Sequence, residues 1–369
     1  MIGRARLLID LAALAHNLRV AKNAAPTSRV FAVVKADAYG HGLVSAARAL
    51  GAADGFAVAC VGEALALREA GIAQRILVLE GAFCGAELAA AAKFGLELVI
   101  HAEWQLQLLE KDGTRGISRL WLKFDTGMHR LGFELDAGMD ALMRLRSLAP
   151  VPLGLMSHLA CADEPTRPET AVQIERFRRL RLQVPDLPGS LANSAGILAF
   201  PVAHYEWVRP GLMLYGVSPL SGQRAEALGL RPAMHFGASL IAVKEVAAGE
   251  AVGYGGDWRA PCRIRLGIVG AGYGDGYPWR GATAGSVRLH GHRVPIIGRV
   301  SMDMLAVNIS KIPAAAPGDE VTLWGRGLAV EEVARSAGTT PYELICGVTR
   351  RVQRDYSPES SLDPGVTLD

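Results

Sequence analysis

The sequence predicts an α/β protein: a (β/α)8 TIM-type barrel followed by a mainly-β C-terminal domain. Three observations carry this. Over the first two thirds of the chain, eight short aliphatic or β-branched runs alternate with eight helical patterns, as a barrel of parallel strands requires. After about Arg231 the texture changes to short alternating runs punctuated by Gly and Pro, the pattern of half-buried strands. Several polar residues sit where barrel strands would end, the end of such a barrel that carries function.

The expected barrel strands are Val30–Lys35, Gly55–Ala59, Ile76–Leu79, Glu97–Ile100, Arg119–Asp125, Leu153–His158, Ser190–Asn193 and Met213–Tyr215. The helices between them cover 12–24, 42–50, 61–70, 85–93, 102–111, 136–148, 168–183 and 195–200. The last units are weakly marked, which leaves a doubly wound sheet as the competing architecture. The later runs are His235–Val246, Ile264–Val269, Ser286–Leu289, Val294–Ile297, Leu305–Ile309 and Glu320–Leu323, with one helix at about 329–337. The domains expected are 1–231 and 232–369, with the first few residues associating with the second domain.

Composition narrows the class. A chain of 369 residues suggests two domains. A net charge of +3 is too small to argue for nucleic acid or a membrane surface, and no apolar run is long enough to span a bilayer. The five cysteines are scattered, with no CxxC pair. They read as reduced cytoplasmic thiols rather than a disulfide framework or zinc site, and no metal is expected. Arg4 and Arg6 before Leu7-Leu8-Ile9 resemble a signal peptide, but Asp10 interrupts the apolar stretch.

Lys35 closes an apolar strand in Val33-Val34-Lys35-Ala36-Asp37-Ala38-Tyr39-Gly40-His41-Gly42. Alone, such a lysine more often snorkels to solvent. A desolvated one becomes a nucleophile able to form an imine with a carbonyl. A helix start follows at once, where a phosphate can sit, and the pair suggests pyridoxal phosphate. Lys123, Asp125, His158, Asn193 and Ser194 fall at other strand ends, Arg130 follows Lys123 by seven residues, and Arg209 and Gly211 fall just before the last strand. Each has a plain explanation: Asn193-Ser194 can cap a helix, and His158 can be a hydrogen-bonded core residue. Together they make a ring of cations and hydroxyls around one pocket. Gly270, Gly272, Gly274 and Gly276 imitate a nucleotide loop, but Pro278 follows instead of a helix. Cys161 near His158 reads as a spectator.

These residues match a known family in order and spacing. The chain resembles the alanine racemases through the Lys35 stretch, Lys123-Phe124-Asp125-Thr126-Gly127-Met128-His129-Arg130-Leu131-Gly132, Ser157-His158-Leu159-Ala160, Asn193-Ser194, Arg209-Pro210-Gly211, Gly253-Tyr254-Gly255, Gly272-Tyr273-Gly274-Asp275-Gly276-Tyr277 and Gly298-Arg299-Val300-Ser301-Met302-Asp303.

The resemblance implies a pyridoxal 5'-phosphate enzyme. Lys35 would hold the cofactor as an imine and act as one base. Tyr254 would be the opposite base, supplied across a homodimer with shared active sites. Tyr39, Ser194 and the backbone at Gly211 and Leu212 would hold the phosphate, with Asn193 beside them. Arg209 would face the ring nitrogen, with His158 against it. Arg130, Met302 and Asp303 would meet the substrate carboxylate, and Tyr273 would narrow the entrance. Lys123 would be carbamylated, which removes a cation that otherwise repels Arg130. The product, D-alanine, would serve peptidoglycan, or the reaction would serve alanine catabolism. Arg350 departs from the pattern, standing four residues after Cys346 where some members carry a phosphate-reaching tyrosine.

Two other readings remain open on sequence. A related barrel enzyme, such as a broader racemase or a decarboxylase, shares most features, although a decarboxylase would commonly place an acid where Arg209 stands. A cofactor-binding protein without turnover would stop at one domain.

Overall fold

The computed structural model describes residues 4–148, 151–280 and 285–357. The outer ends of the two expected domains, residues 1–3 and 358–369, lie outside the described residues. The chain divides into two compact units. One is Leu14–Leu230; the other is Arg231–Asp369 together with Met1–Ala13. The opening strand β1 (Arg6–Asp10) therefore belongs to the second unit.

The first unit is a closed parallel barrel of β2 (Arg29–Val33), β3 (Gly55–Val58), β4 (Arg75–Val78), β5 (Glu97–Ile100), β6 (Arg119–Lys123), β7 (Leu153–Met156), β8 (Gly189–Asn193) and β9 (Trp207–Arg209). Closure runs through Arg29↔Trp207 and Val30↔Val208, which excludes the doubly wound alternative. Every residue of β3, β5 and β7 is buried, as expected of strands covered on both faces.

Side chains from the strand starts fill one end of the barrel. Phe31 stacks on Trp207 with ring centroids 4.0 Å apart. The buried Glu97 accepts from Trp121 Nε1 at 2.7 Å and from Arg75 Nε. Arg75 and Arg29 lie over the Trp207 ring. Gly55 makes room for this layer, since a Cβ there would come 2.8 Å from the Phe31 ring.

Two elements depart from the sequence reading. The eighth strand is Trp207–Arg209, not Met213–Tyr215, which forms part of a 3-10 turn, Leu212–Tyr215. That run is wholly buried, so its apolarity imitates a strand. Arg209 thus ends the last strand instead of preceding it. The first strand stops at Val33, and Lys35 opens a turn described below.

In the second unit, Met234–Val246, Ile264–Val269, Ser286–Leu289, His292–Ile297, Leu305–Asn308 and Glu320–Trp324 form an antiparallel ring. Bulges between Phe236 and Gly237, and between Leu240 and Ala242, bend the long strand so that it pairs at both ends of the ring. β1 extends the sheet, antiparallel to Met234–Val246 and parallel to Gln353–Ser357. Neither β1 nor the C-terminal strand was expected from the sequence. A second helix, Pro341–Gly347, follows the expected one at Val330–Ala337. Among the described residues no helix is long and apolar enough to cross a membrane.

Candidate active site

The polar strand-end residues of the barrel gather at one end. Arg209, at the close of β9, is buried and is held by neutral acceptors. Nη2 donates to Ser157 O at 2.5 Å, to Leu191 O at 3.4 Å and to His158 Nδ1 at 3.2 Å; Nη1 donates to Ser190 Oγ. Its Nε is not among these donors. Among the described residues no carboxylate forms an ion pair with Arg209. Burial lowers its pKa to about 10, so it keeps its proton at neutral pH.

His158 accepts from a guanidinium at Nδ1, which puts its own proton on Nε2. Burial, then the charges of Arg209, Lys123, Arg130 and Lys35, hold its pKa well below the usual histidine range. Thr126 Oγ1 lies 2.8 Å from Ser157 Oγ, and Gln173 ties the backbone on both sides of Leu159, donating to His158 O and accepting from Ala160 N.

Lys123 ends β6, half-buried among cations. Burial first, then Arg209, Arg130 and Lys35, lower its pKa to about 8. Asp125 does not relieve it by direct pairing. Its Oδ1 accepts the amides of Gly127, Met128 and His129 at 2.8, 3.0 and 3.1 Å. Burial alone would raise the Asp125 pKa, but these amides hold it below the ordinary carboxylate value. Arg130 is exposed, yet its charge is felt at both Lys123 and His158.

The segment after Lys35 is the least expected part of the site. Ala36, Asp37, Ala38 and Tyr39 all have φ of +53 or +54°, one turn of left-handed helix without a glycine. For L-residues this costs roughly 1–2 kcal/mol each, and such strain persists only where surrounding contacts over-determine it. Here Ala38 N donates to Val34 O and Gly40 N to Ala36 O. His41 Nδ1 reaches the carbonyls of Ala38 and Tyr39 at 3.0 and 2.9 Å. The Asp37 carboxylate accepts from Leu43 N at 2.8 Å, and Glu63 accepts from Ala36 N at 2.7 Å. The turn places the Tyr39 ring on Tyr215, centroids 4.7 Å apart.

An anion cradle adjoins Tyr39. Ser194 Oγ accepts from Gly211 N at 2.8 Å and Met213 N at 3.3 Å, leaving its proton to donate. Leu212 opens the 3-10 turn, a position whose amide has no acceptor within the turn. A Cβ on Gly211 would come 2.7 Å from Tyr39 Oη, so only glycine leaves this space open. Asn193 caps the helix Ser194–Ala199, accepting from Gly196 N at 2.9 Å and donating to Leu159 O at 3.2 Å. An amine, a dianion cradle of hydroxyls and amides, and a buried donor for a ring nitrogen all belong to this unit. They fit pyridoxal phosphate.

The other residues expected at the site lie in the second unit. Tyr254 is 72% exposed, on a loop whose neighbours Gly253, Gly255 and Gly256 all have positive φ. The loop is pinned by Arg299 Nε to Asp257 at 2.5 Å. Tyr273 and the Met302-Asp303 turn are strapped together: Tyr273 N donates to Ser301 O at 3.1 Å and Gly274 N to Met302 O at 2.8 Å. A Cβ on Gly272 would come 2.2 Å from Ser301 O, so the strap needs glycine there. Arg351, which the sequence reading missed, bridges Asp275 and Asp303, both at 2.7 Å, and Arg4 adds a 3.2 Å contact to Asp303. Arg350, the residue that stood out in the sequence, is exposed. No local pattern distinguishes the two arginines.

A closed (β/α)8 barrel with an amine-bearing turn, a phosphate-type cradle and a buried arginine defines an enzyme site suited to a phosphorylated aldehyde. The model for the alanine racemase N-terminal domain matches residues 9–219, and that for the alanine racemase C-terminal domain matches 233–356. The chain is 51% identical over 359 residues to an alanine racemase of Thioalkalivibrio sulfidiphilus, covering 95% of this chain and 98% of that one. It is 51% identical over 352 residues to a biosynthetic alanine racemase of Pseudomonas aeruginosa, with the same coverage. The crystal structure of biosynthetic alanine racemase from Pseudomonas aeruginosa superposes with a TM-score of 0.92 at 48% identity, over 97% of this chain and 100% of that chain. An alanine racemase of Bartonella henselae, solved with covalently bound pyridoxal phosphate, gives 0.86 at 28% identity, over 96% and 99%. The chain belongs to the alanine racemase family, a family of isomerases.

The depressed Lys123 pKa has a signed consequence. The unfolded lysine binds its proton up to about pH 10.5 and the folded one only to about 8. The charged form therefore destabilises the fold fully below pH 8, and the penalty fades as pH rises towards 10.5. In bicarbonate-free buffer, Lys123→Met is expected to raise the unfolding free energy obtained from urea titration at pH 7 by an amount on the order of 2–3 kcal/mol. The gain should vanish near pH 10.5. A gain that does not depend on pH would assign the effect to packing.

Proposed function

We propose that the protein is an alanine racemase that interconverts L-alanine and D-alanine, with pyridoxal 5'-phosphate held on Lys35. The observation that carries this reading is Arg209, buried at the barrel end and held by neutral acceptors, where a carboxylic acid would otherwise protonate a ring nitrogen. When bound, the cofactor supplies the electron sink that acidifies the α-hydrogen of a joined amino acid. Lys35 Nζ takes or returns that proton on one face. Tyr254 Oη of the partner subunit does so on the other. Two bases on opposite faces spare the substrate from turning over, provided each reaches within hydrogen-bond distance of Cα.

Tyr39, Ser194 and the backbone at Gly211 and Leu212 hold the phosphate, with Asn193 and His158 setting the walls. Arg130 and the backbone of the Met302-Asp303 turn receive the substrate carboxylate, and Tyr273 narrows the entrance. The enzyme works as a homodimer in the cytoplasm, where its five scattered cysteines are at home in a reducing medium. It supplies D-alanine for peptidoglycan or serves alanine catabolism.

Lys123 is carbamylated in this reading. Its amine is already partly neutral near pH 8; it attacks carbon dioxide, and the proton leaves to solvent. The resulting anion orients Arg130 and neutralises part of the cation ring. Protein equilibrated with carbon-13 bicarbonate should give one carbamate carbonyl resonance that Lys123→Ala lacks. A resonance that survives the substitution sinks the assignment.

Incubation with L-alanine and cofactor in heavy water should yield D-alanine deuterated at Cα, and Lys35→Ala should yield none. Exchange with other amino acids but not alanine would replace the substrate. Retention of full exchange in Lys35→Ala would remove Lys35 from the chemistry. For the shared site, Lys35→Ala and Tyr254→Phe chains are inactive alone. Mixed, they form a heterodimer with one site that holds both bases. Recovery of activity on mixing is expected, and its absence would return Tyr254 to its own chain's site.

A further inference from the structure

We propose that Glu63 is a positioning residue for the Lys35 amine. The inference rests on the reading of Lys35 as the cofactor lysine. Glu63 lies in the first turn of the helix Val61–Glu69, after β3, and is half-buried. Its two carboxylate oxygens are divided between two strands' ends. Oε1 accepts from Ala36 N at 2.7 Å and Oε2 from Ala59 N at 2.8 Å. Ala36 directly follows Lys35 and is the first residue of the left-handed turn, at φ +53° and ψ +54°. Among the described residues no salt bridge involves Glu63, so its carboxylate serves the backbone. Charged acceptors make the stronger hydrogen bonds to N–H groups, and a single carboxylate fixes the turn against the end of β3 at both oxygens.

The other braces act further along. His41 bonds the carbonyls of Ala38 and Tyr39, and Asp37 bonds Leu43 N. Glu63 alone among these side chains bonds the peptide joining Lys35 to the strained turn. Without it, Ala36 is free to relax to a right-handed conformation. Relaxation would swing the Cα–Cβ direction of Lys35 away from the cradle of Ser194 and Gly211. Because the lost hydrogen bond is offset by released strain, the overall stability should change little while the amine is misplaced. Sequence reading could not find this role, since Glu63 sits in an ordinary helical pattern.

A rescue separates positioning from general support. Glu63→Gln keeps the shape but leaves one carboxamide NH2 facing a backbone N–H. Ala36→Gly removes the cost of positive φ at that residue, so the double variant should recover the turn without the carboxylate. Cofactor-free full-length protein is titrated with pyridoxal phosphate and reduced with borohydride, and the modified Lys35 peptide is quantified by mass spectrometry. Thermal melting of the same samples is recorded. Glu63→Gln is expected to need about tenfold more pyridoxal phosphate for half-labelling, the effect of losing one charge-assisted bond, with the melting temperature little moved. Ala36→Gly should restore most of that loss in the double variant. Wild-type labelling in Glu63→Gln overturns the proposal, as does a loss that Ala36→Gly does not relieve. A wild type that is not labelled at Lys35 overturns the cofactor reading instead.

Discussion

The barrel site depends on keeping several cations together without matching carboxylates. Lys35, Arg130 and Arg209 act on Lys123, all four cations act on His158, and Arg209 is buried outright. A buried charge needs compensation. Here it comes from carbonyls and a hydroxyl on β8 and after β7, where strand ends offer unpaired acceptors. That choice has chemical force. A carboxylate partner would lower the cost of burying Arg209, but it would also supply a proton carrier beside the ring-facing position. Neutral acceptors hold the guanidinium rigidly and leave it only a donor.

Strain is the second constraint. The chain leaves β2 through four left-handed residues, none of them glycine. Alanine and tyrosine there are driven back towards negative φ more strongly than glycine would be, yet they limit the unfolded chain more. The contacts of Glu63, Asp37 and His41 hold the turn in one conformation. The lysine is thereby fixed from its own backbone and does not depend on packing of its long side chain.

Much of this architecture was legible in the sequence because its signals are local. Aliphatic runs marked β3, β4 and β5 to within a residue or two, and strand-end polarity pointed to Lys35, Lys123 and His158, whereas Arg209 was expected before the last strand and closes it. Motif order carried Tyr254, Tyr273 and Met302-Asp303. What escaped was non-local or conformational. Left-handed φ at Ala36–Tyr39 has no glycine to announce it. Leu212–Tyr215 is as apolar as a strand because it is buried, not because it pairs. Arg351 gains its role from Asp275 and Asp303, far off in sequence, while its neighbour Arg350 looks identical in one dimension. β1 is a five-residue strand whose partners lie more than two hundred positions away, and its pattern runs straight into the helix at Leu11.

That strand has a consequence for how the molecule is made. β1 leaves the ribosome well before its partners, Met234–Val246 and Gln353–Ser357, which follow it by more than two hundred residues. The intervening barrel can fold as it emerges, because all its strands lie between residues 29 and 209. The early strand must wait through that whole interval with an apolar face and two open edges, the kind of exposure that invites wrong pairing. Residues such as Arg4, Arg6 and Asp10 flank or close it, and their charge guards a segment that has no native neighbour until Met234–Val246 has been made.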